Sequence, residues 1–242
     1  MLIKAILFDM GGTLRENTKR DETAKVVIVK GILDLLKVSS SAPSFTKLLT
    51  DREKAYEEWA STNLIELDET GFWTQWMLPD WPYEIISRHA MKLNEIWRDA
   101  ICTRKMFPEA RSTIFGLYQR GYKLGLVSNT TSSVDTPLAL KGAGIAQYLD
   151  VIILSCMVGK RKPGPDILSL AAEKIGEPPE YCVYVGDRPE WDVLASRGAG
   201  FGMSIILHNS RDPQSSLLRS ELTPDRIISN LPELLDIFPD LH

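Results

Sequence analysis

The sequence predicts an α/β protein, a doubly wound parallel sheet carrying an inserted all-α unit, and three observations predict it. Five short runs, Leu2 to Phe8, Lys123 to Val127, Val151 to Leu154, Cys182 to Val185 and Met203 to Leu207, are almost continuously apolar, the pattern of strands buried on both faces. Helical periodicity fills most intervals between the later runs, and strands alternating with helices build a parallel sheet. The alternation breaks once, between about residues 17 and 103, where the periodicity is helical throughout and no comparable strand occurs.

Each element follows from its own residues. Within the insertion, Val26, Val29, Ile32, Leu33 and Leu36 make one apolar helical face, Leu48, Leu49, Tyr56 and Trp59 a second, and Ile85, His89, Leu93, Ile96 and Trp97 a third. Ser39 to Ser44, serine-rich around Pro43, reads as the loop between the first two helices. Five of the six tryptophans lie in this insertion, where a small helical unit needs large side chains to make a core of its own. Trp76 and Trp81, in the aperiodic stretch Gly71 to Pro82, are the two best placed to face a ligand. Beyond the insertion, helices are expected over Pro108 to Arg120 with Gly121 as a stop, Thr136 to Lys141, Asp166 to Ile175 between Pro165 and Gly176, and Glu190 to Arg197. Ser210 to Pro224 is polar and loop-like, and Arg226 to Ser229 and Leu231 to Phe238 suggest a last short strand and helix.

The totals bound the function. A chain of 242 residues is long enough for a proper core without staples. Its formal net charge of -4 gives no basic footprint for nucleic acid, so an anionic ligand must be held by local groups. Cys102, Cys156 and Cys182 are widely spaced with no metal-ligand pattern, which predicts free thiols in a reducing compartment. The apolar N-terminus is too short for a signal segment and no 18-residue apolar run occurs, so a cytoplasmic protein without membrane contact is expected. His89, His208 and His242 have no paired ligand residue and read as structural or exposed.

The chemistry gathers at four strand ends. Ile6 to Leu14 reads Ile-Leu-Phe-Asp-Met-Gly-Gly-Thr-Leu, an apolar run that stops at Asp9. In an open parallel sheet the carboxyl ends of strands face the ligand crevice, which makes Asp9 a candidate nucleophile. Ser128 and Asn129 follow the next run, a hydroxyl and an amide suited to a phosphate-sized anion. Val158 to Pro165, Val-Gly-Lys-Arg-Lys-Pro-Gly-Pro, holds basic side chains in a rigid turn before a helix. Gly186-Asp187, with Asp192 five residues on, adds carboxylates that together with Asp9 supply the hard oxygen ligands Mg²⁺ prefers.

In this order and placement the four elements resemble the haloacid dehalogenase superfamily, over residues 1–16 and about 104–238. The resemblance implies a Rossmann-like core of residues 1–16 and 104–242, with residues 17–103 in the position of the family's helical cap. It implies an aspartyl phosphate on Asp9, with Mg²⁺ held by Asp9, the Gly11 carbonyl and Asp187, and its surroundings supported by Asp192. It further implies that Lys162 balances charge on nucleophile and phosphoryl group and that Ser128 binds phosphoryl oxygens, with Thr13 on the motif loop; Asn129, read above from its own amide, joins Ser128 and Thr13 in the expected substrate-binding set. Lys160 is the rival to Lys162; spacing to Pro163 favours Lys162. The expected substrate is a small phosphorylated metabolite.

One position departs from the family pattern. Two residues after the nucleophile the family's phosphatases carry a second aspartate, general acid to the leaving group and then general base to water, and here that residue is Gly11. Such proton transfer contributes about 10²- to 10⁴-fold. Three expectations follow from the gap: a substrate with a good leaving group, a proton from the cap or Glu16, or a protein that binds a phosphorylated ligand or partner without turning it over. Dehalogenase chemistry is opposed by the acidic Gly186-Asp187 pair, which those metal-free relatives lack, and phosphonatase chemistry needs a cap lysine for which only Lys47 and Lys54 stand as candidates.

Overall fold

The computed structural model describes residues 2–208 and 222–241; residues 209–221, most of the stretch read as a polar loop, and His242 lie outside the described residues. In chain order the elements are β1 (Ala5–Phe8), β2 (Arg15–Lys19), α1 (Glu22–Leu36), α2 (Ala42–Asn63), the single turn α3 (Glu69–Gly71) running into a π-helical segment Phe72–Met77, α4 (Tyr83–Ile101) and β3 (Cys102–Met106). Then come α5 (Ala110–Gln119), β4 (Lys123–Ser128), α6 (Asp135–Gly142), β5 (Val151–Leu154), α7 (Ser155–Val158), α8 (Asp166–Ile175), β6 (Cys182–Gly186), α9 (Pro189–Gly198), β7 (Met203–Leu207), β8 (Arg226–Ile228) and α10 (Glu233–Ile237).

Six strands pair in parallel in the order β5-β4-β1-β6-β7-β8, the doubly wound sheet the apolar runs predict. Successive residues of β1 point to opposite faces, so both faces must be covered. Ile6 and Phe8 pack with Ile114 and Leu117 of α5 and Leu234 of α10, while Ala5 and Leu7 pack with Ile167, Leu168 and Ala171 of α8 and Ala195 of α9. The chain fills one side of β1 with β4 and β5, then crosses back to lay β6 on the other. The carboxyl ends of β1, β4 and β6 therefore open onto the crevice where the winding reverses, the usual ligand position of such sheets.

The helical insertion packs around a core of its own, with Val29, Ile32, Leu49, Tyr56, Trp73, Leu93 and Trp97 all fully buried. Three sequence expectations change here. Pro43 lies in the first turn of α2, after Ser41 as N-cap, because a proline there lacks only an N–H that would have no helical partner; the loop is shorter than expected. The buried face of α4 is Ile86, Ala90, Leu93 and Trp97, one residue out of phase at its start, and Ile85 is 44% exposed. Trp76 packs on Tyr56 and Trp59, and Trp81 on Phe45, so both serve the core of the insertion.

The insertion is also not helical throughout. β2 and β3 pair as an antiparallel ribbon, Asn17 opposite Arg104 and Thr18 opposite Thr103, so residues 17 and 103, expected as boundaries, fall inside a paired element. Strand alternation was invisible there because Arg-Glu-Asn-Thr-Lys and Cys-Thr-Arg-Lys-Met carry almost no apolar residues. Ion pairs fasten the ribbon instead: Asp135 of α6 takes Arg15 Nη1 at 2.7 Å and Arg98 Nη2 of α4 at 2.8 Å. All three cysteines are free thiols, Cys156 and Cys182 buried and Cys102 partly so. No helix among the described residues is long and apolar enough to cross a membrane.

Candidate active site

The loop after β1 is folded back on itself by its own backbone. Met10 O accepts from Leu14 N at 3.0 Å and Arg15 N at 2.9 Å, and Arg15 O accepts from Gly12 N at 2.8 Å. Gly12 has φ +82°, and a Cβ on it would fall 1.9 Å from Asp187 Oδ2. Only glycine lets the two strand-end loops approach this closely. The tight turn leaves Asp9 largely buried at the floor of a cleft of about 750 Å³, beside Gly11, Ser128, Asn129, Lys162, Asp187 and Asp192. Thr13 is buried and is not among the residues that line the cleft.

Lys162 is the centre of the floor. Its ammonium has three donors, and the structure supplies three acceptors: Asp9 Oδ1 at 2.8 Å, Asp192 Oδ1 at 2.6 Å and the Tyr184 hydroxyl at 2.6 Å. The Tyr184 hydroxyl in turn donates to Val127 O at 2.9 Å. Burial works against the ammonium charge, yet Asp192 and Asp9 raise its pKa well above the usual lysine value. Lys160, the rival, pairs with Asp166 at 3.3 Å on a half-exposed side chain and does not line the cleft.

Two residues expected to touch ligand or metal have their polar atoms otherwise engaged. The Asn129 amide brackets the backbone of Lys162, donating to Lys162 O at 2.8 Å and accepting from Lys162 N at 3.0 Å. Asp192 gives Oδ1 to Lys162 and Oδ2 to the N–H groups of Asp187 and Arg188, at 3.0 and 2.9 Å. Both therefore hold other parts of the floor in place.

Asp9 and Asp187 are left facing the cleft with too little positive charge. Asp187 carries no side-chain hydrogen bond among the described residues, and burial, then Asp9 and Asp192, push its carboxyl up to about 8. Burial likewise raises Asp9 despite Lys162. A hard divalent cation fits this donor set. The described residues hold no cluster of three metal-ligating side chains, and Mg²⁺ needs none, since it keeps several waters and takes one or two carboxylates. Asp9 and Asp187, with the backbone at Gly11, are the groups that would hold it.

The walls come from residues that sequence reasoning missed. Arg15, Asn17 and Lys19 of β2 and Cys102 and Arg104 of β3 line one side; Trp191, Arg161 and Arg188 line another. Their signal was the i, i+2 spacing of Arg15, Asn17 and Lys19, without apolar residues to mark it as a strand. Glu16, offered as a proton source, alternates to the other face of the ribbon and does not line the cleft. Lys47 and Lys54 sit on the exposed side of α2, paired with Asp51 and Glu58.

The insertion is fastened over the cleft by buried polar groups. Glu66 accepts from Tyr56 and, at 3.0 Å, from Ser155 of α7, and lies 3.5 Å from Arg161 Nη1. Glu69 accepts from Ser133 N at 2.6 Å and Ser133 Oγ at 2.7 Å, and Asn94 donates to Thr131 O at 2.8 Å.

Comparison with known proteins agrees with this architecture. The sequence profile of the haloacid dehalogenase-like hydrolases matches residues 3–200. A glyceraldehyde 3-phosphate phosphatase of Methanopyrus kandleri is 24% identical over 99% of both chains. A phosphoglycolate phosphatase of Escherichia coli is 38% identical over 95 residues, 39% of this chain and 37% of its own. Among solved structures, a HAD phosphatase from Thermococcus onnurineus superposes with TM-score 0.62 at 25% identity over 97% of each chain. A 2-haloacid dehalogenase from Pseudomonas syringae superposes with TM-score 0.69 at 20% identity over 98% of each, a likeness of fold. With the profile spanning most of the chain and this sheet beneath the site, the protein belongs to the haloacid dehalogenase-like hydrolases.

Proposed function

We propose that the protein is a Mg²⁺-dependent phosphatase acting on a small phosphorylated metabolite through an aspartyl phosphate on Asp9. The observation that carries this reading is the charge arrangement of the floor, where Lys162 binds one oxygen of Asp9 while Asp187 stands beside it with no ion pair among the described residues and its carboxyl pushed up by burial and by Asp9. Phosphoryl transfer needs in-line positioning and neutralisation of oxygens more than elaborate covalent chemistry. The Asp9 carboxylate attacks phosphorus, Lys162 holds the nucleophile and offsets charge, and Ser128, from the wall of the cleft, donates to a phosphoryl oxygen. Bound Mg²⁺ would neutralise the remaining charge of the carboxylates and the phosphoryl group. Relatives named for glyceraldehyde 3-phosphate and phosphoglycolate support a small phosphorylated substrate, and the insertion, as a cap, would exclude water from it.

Gly11 favours a second reading, a protein that holds a phosphorylated ligand without turnover, and one experiment separates the two. Aryl and alkyl phosphates are assayed with Mg²⁺ and with chelator, for the protein and for Asp9→Asn. The expected result is Mg²⁺-dependent hydrolysis of aryl phosphates that Asp9→Asn abolishes without loss of fold. No metal-dependent turnover of any ester would leave the binding role. Retained turnover in Asp9→Asn would remove Asp9 as nucleophile.

A further inference from the structure

The space above Gly11, where a general acid would stand, is not empty. A Cβ built on Gly11 falls 2.7 Å from Asn17 Nδ2, so even the first atom of a side chain there would collide with the amide. Asn17 sits in mid-ribbon, opposite Arg104, and β-alternation puts it on the same face as Arg15 and Lys19. That face lines the cleft that holds Asp9. The Asn17 amide makes no side-chain hydrogen bond among the described residues, while the amide of Asn129, across the cleft, is fully engaged with backbone. Arg15 and Arg104 flank it, Arg15 paired with Asp135 at 2.7 Å and Arg104 with Asp99 at 3.2 Å, which leaves the Asn17 amide as an uncommitted donor of this face.

We propose that Asn17 takes the place of the missing acid by donating a hydrogen bond from Nδ2 to the leaving-group oxygen, making the enzyme selective for phosphates whose oxygen departs as an anion. This rests on the phosphatase reading and names the substrate class within it. In the step concerned, an Asp9 oxygen forms a bond to phosphorus, the bond from phosphorus to the ester oxygen breaks, and the electron pair stays on that oxygen. An amide releases no proton at neutral pH, so Asn17 transfers none. It stabilises the charge as it forms, and the departed oxyanion takes its proton from solvent when its basicity requires one. Acyl, enol and aryl phosphates leave in this way; simple alkyl phosphates do not.

A series of aryl phosphates of graded leaving-group pKa, with Mg²⁺ present, tests the assignment. Asn17→Ala should lower kcat/KM about tenfold for the poorest leaving groups and little for the best, steepening the dependence on pKa, since a donor aimed at developing charge acts in proportion to that charge. Gly11→Ala pushes the amide aside and should steepen it equally, and Asn17→Ala combined with Gly11→Ala should add nothing to either change alone. Asn17→Asp replaces the donor by a group able to give up a proton. Alkyl phosphates should then be hydrolysed faster than by the parent, with rates falling as pH rises and that carboxyl ionises. Because Asn17 is exposed, the melting temperature of Asn17→Ala should stay with the parent's. An active parent whose pKa dependence is unchanged in Asn17→Ala overturns the Asn17 assignment alone. A parent inactive on every ester overturns the phosphatase reading, and the assignment with it.

Discussion

Gly12 shows how narrowly single residues are constrained around Asp9. Its positive φ already disfavours any L side chain, and the Asp187 carboxylate fills the space where a Cβ would go. Gly12→Ala should therefore cost about 2 kcal/mol of stability for the backbone conformation alone. Displacement of Asp187 comes in addition, and metal-dependent turnover should fall with it. Urea denaturation and the Mg²⁺-stimulated rate measure the two effects separately. Gly11 is different in kind: its nearest obstacle is the end of a side chain that can swing away. Introducing an acid at position 11 thus competes with Asn17 for the same space.

At the scale of elements, the join between the insertion and the sheet is polar and buried. Glu66 is 3% exposed and is shared by Tyr56, Ser155 and Arg161, and burial raises its pKa even though Arg161 opposes that shift. Removing one member of such a network leaves the others without partners, which costs more than the intact network contributes. Glu66→Ala is expected to destabilise the protein by about 3 kcal/mol. Because Arg161 and Lys162 are neighbours, it should also raise KM; chemical denaturation and steady-state kinetics check both. Glu66→Gln keeps the acceptor for the hydroxyls and should recover part of the loss. An equal loss in both variants would show that charge, not hydrogen bonding, holds the join.

For the molecule as a whole, Asp135 ties sheet, ribbon and insertion together, and its titration should be visible in global stability. Burial opposes its ionisation, but Arg98 and Arg15 hold its pKa at about 2, below the ordinary 3.8. A carboxyl with its folded pKa depressed binds fewer protons in the folded state, so its contribution is complete above about pH 4 and is lost as pH falls towards 2. The loss over that window should be about 2 kcal/mol, and Asp135→Asn should remove this limb from a plot of stability against pH while lowering stability at neutral pH. A second global readout concerns the carboxylate pair. A cation that binds the folded state alone stabilises it by mass action, so Mg²⁺ should raise the melting temperature of the parent and not that of Asp187→Asn. An equal shift in both would remove Asp187 from the metal site.

Most of the sheet was legible because parallel strands buried on two faces must be apolar along their whole length, and residues such as Ile6 to Phe8 or Val151 to Leu154 can be little else. The strand-end positions of Asp9, Ser128 and Asp187 followed from the same runs. Local sequence did not reveal the ribbon, because its strands are polar and pair across some 85 residues. Nor did it reveal what each polar group binds: Asn129 and Asp192 looked like ligand contacts, and the fold gives them to the Lys162 backbone and ammonium. The sequence by itself determined the α/β class, the place of the carboxylates and the absence of an acid at Gly11, since these depend on residue type and order along the chain. Only the tertiary structure decided that Asn17 fills the resulting gap, because a partner so distant from the sheet in hydrophobic pattern is brought there by strand pairing and close approach of backbones, which no local spacing encodes.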